Sequence, residues 1–189
     1  MSEVHRPLRV QLDCFDAREF DRGRGRIVEA LWLICAALFV SSGLPGSLLR
    51  VLILRAFGAR IAPGVIIKPH VRIKFPWRLS IGAHSWIGED VWIDNLAHVS
   101  IGAQCCISQA AYLCTGSHDW SKKTFDLVTK PIVIEDGSWI CAKTMIGPGV
   151  RVREGAVLAL GSVATHDLDP WTCHSSLQTQ LTKRRREVT

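Results

Sequence analysis

The histidine of the segment TGSHDW, His118, has the residue type and the position for proton transfer. An imidazole titrates near neutral pH, so it can accept a proton from a hydroxyl group and turn an alcohol into a nucleophile. The neighbouring Asp119 or a backbone carbonyl group could fix the tautomer of the ring. Taken alone, a histidine in a loop is more often a solvated surface residue. The chain contains six others: His5, His70, His84, His98, His166 and His174.

Metal and redox chemistry find little support in the pattern of histidines and cysteines. The seven cysteines form no CxxC pair and no spacing typical of a disulfide framework, so we interpret them as reduced, small apolar side chains of a cytosolic protein. A zinc enzyme of the γ-class carbonic anhydrase type would need two histidines five residues apart. Leu113 and Lys123 occupy the positions five residues before and after His118, so no metal ligands are predicted.

A repeat of six residues positions this histidine. A strict period of six matches neither the 3.6 of a helix nor the 2 of a plain strand, and it is typical of a β-solenoid with three hexads per coil. A β-sandwich of short strands, the alternative, does not keep a fixed register of six. We therefore predict an all-β solenoid, a parallel β-helix. The fourteen repeat positions are all Ile, Leu or Val: Ile61, Ile67, Ile73, Ile81, Ile87, Ile93, Ile101, Ile107, Leu113, Ile134, Ile140, Ile146, Val152 and Leu158.

The interruptions of the repeat predict a special corner. Residues 79–80 and 99–100 are insertions that each follow three hexads, so both are expected at the same corner of successive coils. Small or β-branched residues four positions after each aliphatic residue are expected to fill the corners, and at this one they are Ala97 and Ser117. Residues 119–133 then leave the repeat, and a long excursion from a repetitive scaffold is usually functional.

The rest of the chain divides by composition. The apolar segment is expected to form two helices that cap the open end of the solenoid, and the alternative, compatible with it, is a hairpin at residues 27–57 lying on the inner surface of a membrane. The predicted segments are a polar arm at 1–25, the apolar helical segment at 26–60, the β-helix at 61–165 with its loop at 119–133, and a basic tail at 166–189.

The net charge of +6 favours anionic partners, and part of it comes from the run Lys183–Arg186. This run lacks interleaved aromatic residues and belongs to no recognisable nucleic-acid-binding module. Nucleic acid is therefore not an expected partner.

Several stretches together resemble the colanic acid biosynthesis acetyltransferase family of the hexapeptide-repeat acyltransferases. They are RAFGARIAPGVIIKPHVRI, FPWRLSIG, SWIGEDVWIDNLAHVSIGAQ, SQAAYLCTGSHDW, VTKPIVIEDGSWI and LDPWT. The resemblance implies that the β-helix is left-handed and that the protein is an O-acetyltransferase using acetyl-CoA. The segment 174–179 departs from the family, because it lacks the Gly and Pro of the turn found there.

The resemblance also implies roles for individual residues. His118 would be the general base, and Asp94 and Asn95 would hold the acceptor, although Asp-Asn is also a good turn dipeptide. The acetyl-CoA arm would run near Trp139, Ala142, Gly161 and Thr165. Its phosphates would contact Lys183 and Arg184. A homotrimer is implied, because the family builds its site between subunits.

The acceptor is expected to be a sugar hydroxyl in exopolysaccharide assembly, on a free sugar or a lipid-linked glycan. We expect a cytoplasmic protein, with association at the inner face of the membrane through residues 27–57. The alternative to an enzyme is a non-catalytic solenoid that serves as a binding or assembly module.

Overall fold

A computed structural model describes residues 10–16 and 20–176 and the backbone of residues 183–184. From Arg60 the chain winds through coils of three short strands, which stack into three parallel sheets that we call the first, second and third faces. The first face holds β1 (Arg60–Ile61), β4 (Leu79–Ile81), β7 (Val99–Ile101), β12 (Ile132–Ile134) and β15 (Arg151–Val152). The second holds β2 (Ile66–Ile67), β5 (Trp86–Ile87), β8 (Cys106–Ile107), β13 (Trp139–Ile140), β16 (Val157–Leu158) and β18 (Thr172–His174), with antiparallel β19 (Lys183–Arg184) beside β18. The third holds β3 (Arg72–Ile73), β6 (Trp92–Asp94), β9 (Tyr112–Cys114), β14 (Met145–Ile146) and β17 (Val163–Ala164).

The repeat positions form the core. All fourteen aliphatic residues are buried, and they stack in register from coil to coil, as Ile67, Ile87 and Ile107 do on the second face. The hexapeptide period therefore predicted both the strands and their inward side chains, and the predicted solenoid is confirmed.

The corner between the third and first faces, which we call the third corner, departs from the prediction in detail. The excursion leaves the solenoid there, and two earlier coils carry extra residues there, at 75–78 and 95–98. The prediction that residues 79–80 and 99–100 are the inserted ones is wrong, because they belong to β4 and β7 of the first face. The buried polar residues of the corner, however, are Asn95 and Thr115, whereas Ala97 is only half-buried and Ser117 is exposed. The prediction that Ala97 and Ser117 fill this corner is wrong, because the inserted residues shift the inward-pointing position two residues earlier in the chain.

Two helices lie across the first coil. Helix α1 (Arg26–Cys35) continues through a π-helical turn, Ala36–Val40, and a connection leads to α2 (Ser47–Ala56). Their inner residues Trp32, Val40, Val51 and Leu54 belong to the solenoid core. Side chains of this segment also bind backbone groups of the first coil: Trp32 Nε1 to the oxygens of Ile73 and Lys74, Ser41 Oγ to that of Val71, Ser47 Oγ to the nitrogen of Ile67, and Arg55 to the oxygen of Ile61.

The C-terminal boundary of the solenoid lies beyond the predicted one. Strand β18 stacks in parallel on β16, so the coils continue to His174, and the predicted end at residue 165 is wrong. The polar arm includes a short 3-10 helix, Leu12–Cys14. Residues 177–179 of the divergent turn fall outside the described part of the chain. Within that part, no helix combines the length and the apolar composition needed to span a bilayer.

Candidate active site

His118 is held by the excursion that begins beside it. Strand β10 (Gly116–His118) pairs antiparallel with β11 (Leu127–Thr129), and this ribbon projects from the third corner. The His118 Nδ1 atom lies 2.7 Å from the carbonyl oxygen of Phe125. The Phe125 ring stacks on the imidazole with centroids 4.2 Å apart and planes 3° apart, and the Phe15 ring meets it edge-on at 5.4 Å. Two aromatic rings and one hydrogen bond therefore orient the imidazole.

The hydrogen bond to a carbonyl oxygen fixes the tautomer of His118. A carbonyl only accepts, so Nδ1 must carry the proton, and in the neutral ring Nε2 keeps its lone pair. Asp119 does not take this part, since its Oδ1 accepts hydrogen bonds from the nitrogen and hydroxyl of Ser121. Of the two groups proposed from the sequence, the backbone carbonyl is the one in contact.

The backbone at Phe125 adopts a conformation that is rare for a large side chain. Its φ is +51°, in the left-handed region, where a non-glycine residue is strained. Surrounding hydrogen bonds hold this turn: the Phe125 nitrogen donates to the Lys122 oxygen, and the Asp119 nitrogen donates to the Asp126 oxygen. The strained turn aims the Phe125 carbonyl at the imidazole.

A cavity of about 670 Å³ lies at the third corner beside the ribbon. His118 does not itself line the cavity but adjoins it through Asp119, its neighbour in the chain, and Leu127, its partner across the ribbon. The charged and titratable residues of the wall are Asp16, Asp21, Arg78, His98, Asp119, Lys122 and Asp126. The sequence did not predict Asp16, Asp21, Arg78 or His98 as site residues. The available signal was the Asp-rich composition of the arm, which no periodicity connects to the corner.

His98 brings a second imidazole to the cavity. Its Nε2 lies 3.0 Å from Ser80 Oγ, and partial burial together with the charge of Arg60 lowers its pKa. The ring therefore stays uncharged at neutral pH and lines the wall as a hydrogen-bonding group.

The two residues predicted to hold the acceptor, Asp94 and Asn95, have different environments in the structure. The Asn95 side chain is fully buried; its Oδ1 accepts from the Phe75 nitrogen, and its Nδ2 donates to the oxygens of Phe75 and Arg78. This geometry matches the turn interpretation and leaves Asn95 no exposed surface for a sugar.

Asp94 lies at the end of the third face, outside the wall of the cavity. Its Oδ1 is 3.2 Å from Lys74 Nζ, and its Oδ2 is 3.2 Å from the Tyr112 hydroxyl. Burial, together with Cys114 and this carboxylate, raises the pKa of Tyr112, so the phenol stays protonated and donates to Asp94. Oδ1 has no hydrogen-bond partner but is buried beside Lys74, so a bound acceptor could not reach it in this conformation.

The residues predicted for the donor lie on the later coils. Ala142 and Gly161 stack at the corner between the second and third faces, where the Gly161 nitrogen donates to the Ala142 oxygen at 3.0 Å. Trp139 is 46% exposed on the second face, with Nε1 bound to Ser108 Oγ at 2.9 Å. Thr165 follows β17 at the third corner, two strands along the third face from the strand that leads to His118.

Lys183 and Arg184 form β19 beside β18, and only their backbone is described. Contact of their side chains with the phosphates of the donor therefore stays a prediction. Among the described residues, no three His, Cys, Asp or Glu side chains are grouped so that they could hold a metal ion.

Comparison with known proteins identifies relatives of this chain. No protein-family model matches it. WcaF of Escherichia coli K12, assigned as a colanic acid biosynthesis acetyltransferase, is 38% identical over 143 residues, which cover 76% of this chain and 79% of WcaF. The galactoside O-acetyltransferase of the same organism is 24% identical over 115 residues, 59% of this chain and 57% of that protein.

Among solved structures, the hexapeptide-repeat acetyltransferase VCA0836 of Vibrio cholerae with acetyl coenzyme A superposes with a TM-score of 0.76 at 24% identity, covering 93% of this chain and 97% of that one. A galactoside acetyltransferase in complex with coenzyme A gives a TM-score of 0.73 at 20% identity, covering 86% and 82%. These two superpositions support the fold. Because the similarity to WcaF extends over most of both sequences, this chain belongs to the colanic acid biosynthesis acetyltransferase family, whose members are acyl-CoA-dependent acetyltransferases of the hexapeptide-repeat superfamily.

Proposed function

We propose that this chain moves the acetyl group of acetyl-CoA to a hydroxyl group of a sugar, with His118 as the general base. The observation that carries the proposal is the 2.7 Å contact between His118 Nδ1 and the Phe125 carbonyl oxygen. It leaves Nε2 as the basic atom of a half-buried ring beside a polar cavity. The same carbonyl stabilises the imidazolium that forms once Nε2 has taken a proton.

The reaction needs little else from side chains. Nε2 of His118 takes the proton of the acceptor hydroxyl while its oxygen attacks the carbonyl carbon of the thioester. The C–S bond then breaks, the acetyl group stays on the acceptor oxygen, and the imidazolium returns its proton to the departing thiolate. The donor supplies an already activated acyl group, so the protein contributes a base and alignment.

The cavity at the third corner supports a sugar as the acceptor. Its volume of about 670 Å³ falls within the range of roughly 300–1,000 Å³ typical of small-molecule sites. Its wall carries carboxylates, an arginine and an uncharged histidine, which are partners for sugar hydroxyls. Asp94 stays a proposed contact for a part of the acceptor that extends over the third face, reached when the Lys74 side chain moves off its Oδ1.

The outer surface of the later coils supports the predicted path of the donor. Trp139 and Met145 are each about half exposed. Ala142, between their strands, and Gly161, at the same corner one coil later, are small residues that leave room there. An extended pantetheine chain fits such a flat, partly apolar strip. Exposed apolar residues on two outer faces also suit contact with further copies of the chain, so a homotrimer is part of the proposal.

The similarity to WcaF supports a role in exopolysaccharide assembly, with a sugar or lipid-linked glycan as the acceptor. Such assembly on the cytoplasmic side would bring the protein to the inner face of the membrane. Contact there through residues 27–57 belongs to the proposal.

The test measures acetyl-CoA turnover with a panel of nucleotide sugars and lipid-linked glycans. We expect His118→Ala to lower kcat by about 10²–10⁴-fold, because the variant removes the general base. The melting temperature should be nearly unchanged, because His118 lies in the projecting ribbon of β10 and β11, outside the solenoid core. His84→Asn is the matched control: His84 is exposed at another corner with a φ of +60°, which asparagine tolerates, and its activity should equal that of the wild type.

Turnover by His118→Ala at the wild-type rate would contradict the proposal that His118 is the general base. Absence both of turnover with any acceptor and of coenzyme A binding would favour the non-catalytic binding or assembly module.

A further inference from the structure

The outer side of the helical segment is an apolar surface without a partner in the described structure. Between residues 30 and 54 every exposed residue is apolar. We call this the apolar end surface, because it covers the end of the solenoid at the first coil. Its large side chains are Leu31, Leu33, Ile34, Leu38, Phe39, Leu44, Leu48, Leu49 and Leu52, with exposures from 37% to 70%.

The one charged side chain within these residues is turned inward. Arg50 is 2% exposed, and its guanidinium donates to four carbonyl oxygens around the connection between the helices: those of Val40 at 3.1 Å, Ser42 at 3.0 Å, Gly46 at 3.2 Å, and Leu44. In water these oxygens would bind solvent at no cost. In hydrocarbon each must be satisfied from within the protein, and Arg50 does this for these four.

Basic residues surround the apolar end surface. Residues 22–88 contain ten Lys and Arg but only one acidic residue, Glu29, which pairs with Arg22. The exposed members form what we call the basic girdle, in which Arg22 pairs with Glu29 and Lys74 with Asp94: Arg22, Arg24, Arg26, Arg55, Arg60, Lys68, Arg72 and Lys74. An apolar plane with cations at its rim matches one leaflet of an anionic bilayer, with acyl chains against the plane and phosphates against the rim.

We infer that the apolar end surface docks into one leaflet of an anionic phospholipid membrane, with the solenoid standing on its end; this inference rests on the membrane contact of residues 27–57 in the proposed function and deepens it. A second copy fits less well, because two such ends placed face to face would oppose their basic girdles. The docked orientation also bears on the acceptor. The strand that leads to His118 lies two strand spacings, about 10 Å, along the third face from the first coil, within reach of a glycan on a membrane lipid.

Vesicle flotation of the full-length chain tests this inference. The wild type should float with phosphatidylglycerol/phosphatidylethanolamine vesicles and bind phosphatidylcholine vesicles far more weakly. Leu38→Asp with Leu48→Asp should weaken binding at least about 100-fold, because both side chains lie in the apolar plane and each loses apolar transfer energy while gaining a charge. Leu160→Asp, at a similarly exposed leucine of the later coils, should bind like the wild type.

A variant with two cations removed separates the electrostatic contribution to membrane binding from the apolar contribution. Arg26→Gln with Lys68→Gln should weaken binding to the anionic vesicles by about 20–30-fold, roughly fivefold per cation, and leave binding to the neutral vesicles unchanged. Hydrogen exchange of the wild type should slow in residues 31–52 when anionic vesicles are added, which tests the surface without any substitution.

Three results would overturn the inference: a folded wild type that does not float with anionic vesicles, a double aspartate variant that floats like the wild type, or a double aspartate variant that changes oligomeric mass without lipid. The last would identify a second copy as the occupant. Turnover of a water-soluble acceptor by the double aspartate variant should equal that of the wild type, so failure of docking and failure of the proposed catalysis are separately visible.

Discussion

The buried amide of Asn95 offers a direct test of how the third corner is built. Its three hydrogen bonds join it to Phe75 and Arg78, one coil earlier in the chain. If Asn95 instead held the acceptor, replacing it would raise KM and leave stability unchanged. If it holds the corner, Asn95→Ala lowers stability and leaves kcat and KM of the folded enzyme within about twofold of the wild type.

The structure sets the size of the loss. The Phe75 nitrogen and the Arg78 oxygen would each lose the hydrogen bond they make to Asn95, at about 1–3 kcal/mol apiece. The Phe75 oxygen would lose about 1 kcal/mol at most, because it also accepts from the Arg78 nitrogen at 2.9 Å. The free energy of unfolding should therefore fall by about 2–7 kcal/mol, which for a chain of this size lowers Tm by about 5–20 °C.

Thermal and urea denaturation measure the loss, and steady-state kinetics below the transition measure the site. Thr115→Val is the matched control, since Thr115 is buried at the same corner one coil later, with Oγ1 bound to the Asp94 oxygen and the Ala97 nitrogen. It should cost about 1–2 kcal/mol. A loss below 1 kcal/mol for Asn95→Ala together with a large rise in KM would refute the structural role and restore Asn95 as an acceptor contact.

Two further predictions concern the coils themselves. Gly82→Ala should destabilise the protein by about 2–3 kcal/mol in the same denaturation assay, because the new Cβ would lie 2.4 Å from the backbone of Gly102 and Ala103 in the next coil. Gly25→Ala is the control: nothing lies within 4 Å of its new Cβ, so it should cost less than about 1 kcal/mol. Burial beside two other thiols raises the pKa of Cys141 to about 11, so iodoacetamide at pH 8 should alkylate it about two hundredfold more slowly than a model thiol of pKa near 8.5, as followed by peptide mass spectrometry. Labelling of Cys141 in the native protein at the model-thiol rate would contradict this burial.

The fold was predictable because its information is local and repeated. Each aliphatic residue of the period needs only its counterpart one coil away, so a count along the chain finds the strands, the corners and the excursion. The hydrogen-bond partner of His118 was harder to predict from the sequence. Asp119 is adjacent in the chain, yet the carbonyl that binds the imidazole comes from Phe125, across the ribbon, and only the strained turn brings it there.

The role of Asn95 and the position of the acidic arm could not be predicted from the sequence for a related reason. An Asp-Asn pair is equally compatible with a turn and with a sugar contact, and the distinction depends on Phe75, twenty residues earlier. Asp16 and Asp21 lie in a segment without periodicity, so nothing in the sequence connects them to the corner that they line.

The third corner explains why the site lies where it does. Successive coils insert extra residues there, at 75–78, 95–98 and 115–130, and these stack into a ledge beside the regular core. The next coil passes from Ile146 to Val152 in an unbroken hexad, so the ledge ends there. A cavity can form only where the corner is widened, and the widened corners belong to the coils nearest the helical end. The architecture that makes room for an acceptor therefore also brings it close to the surface that we infer to meet the membrane.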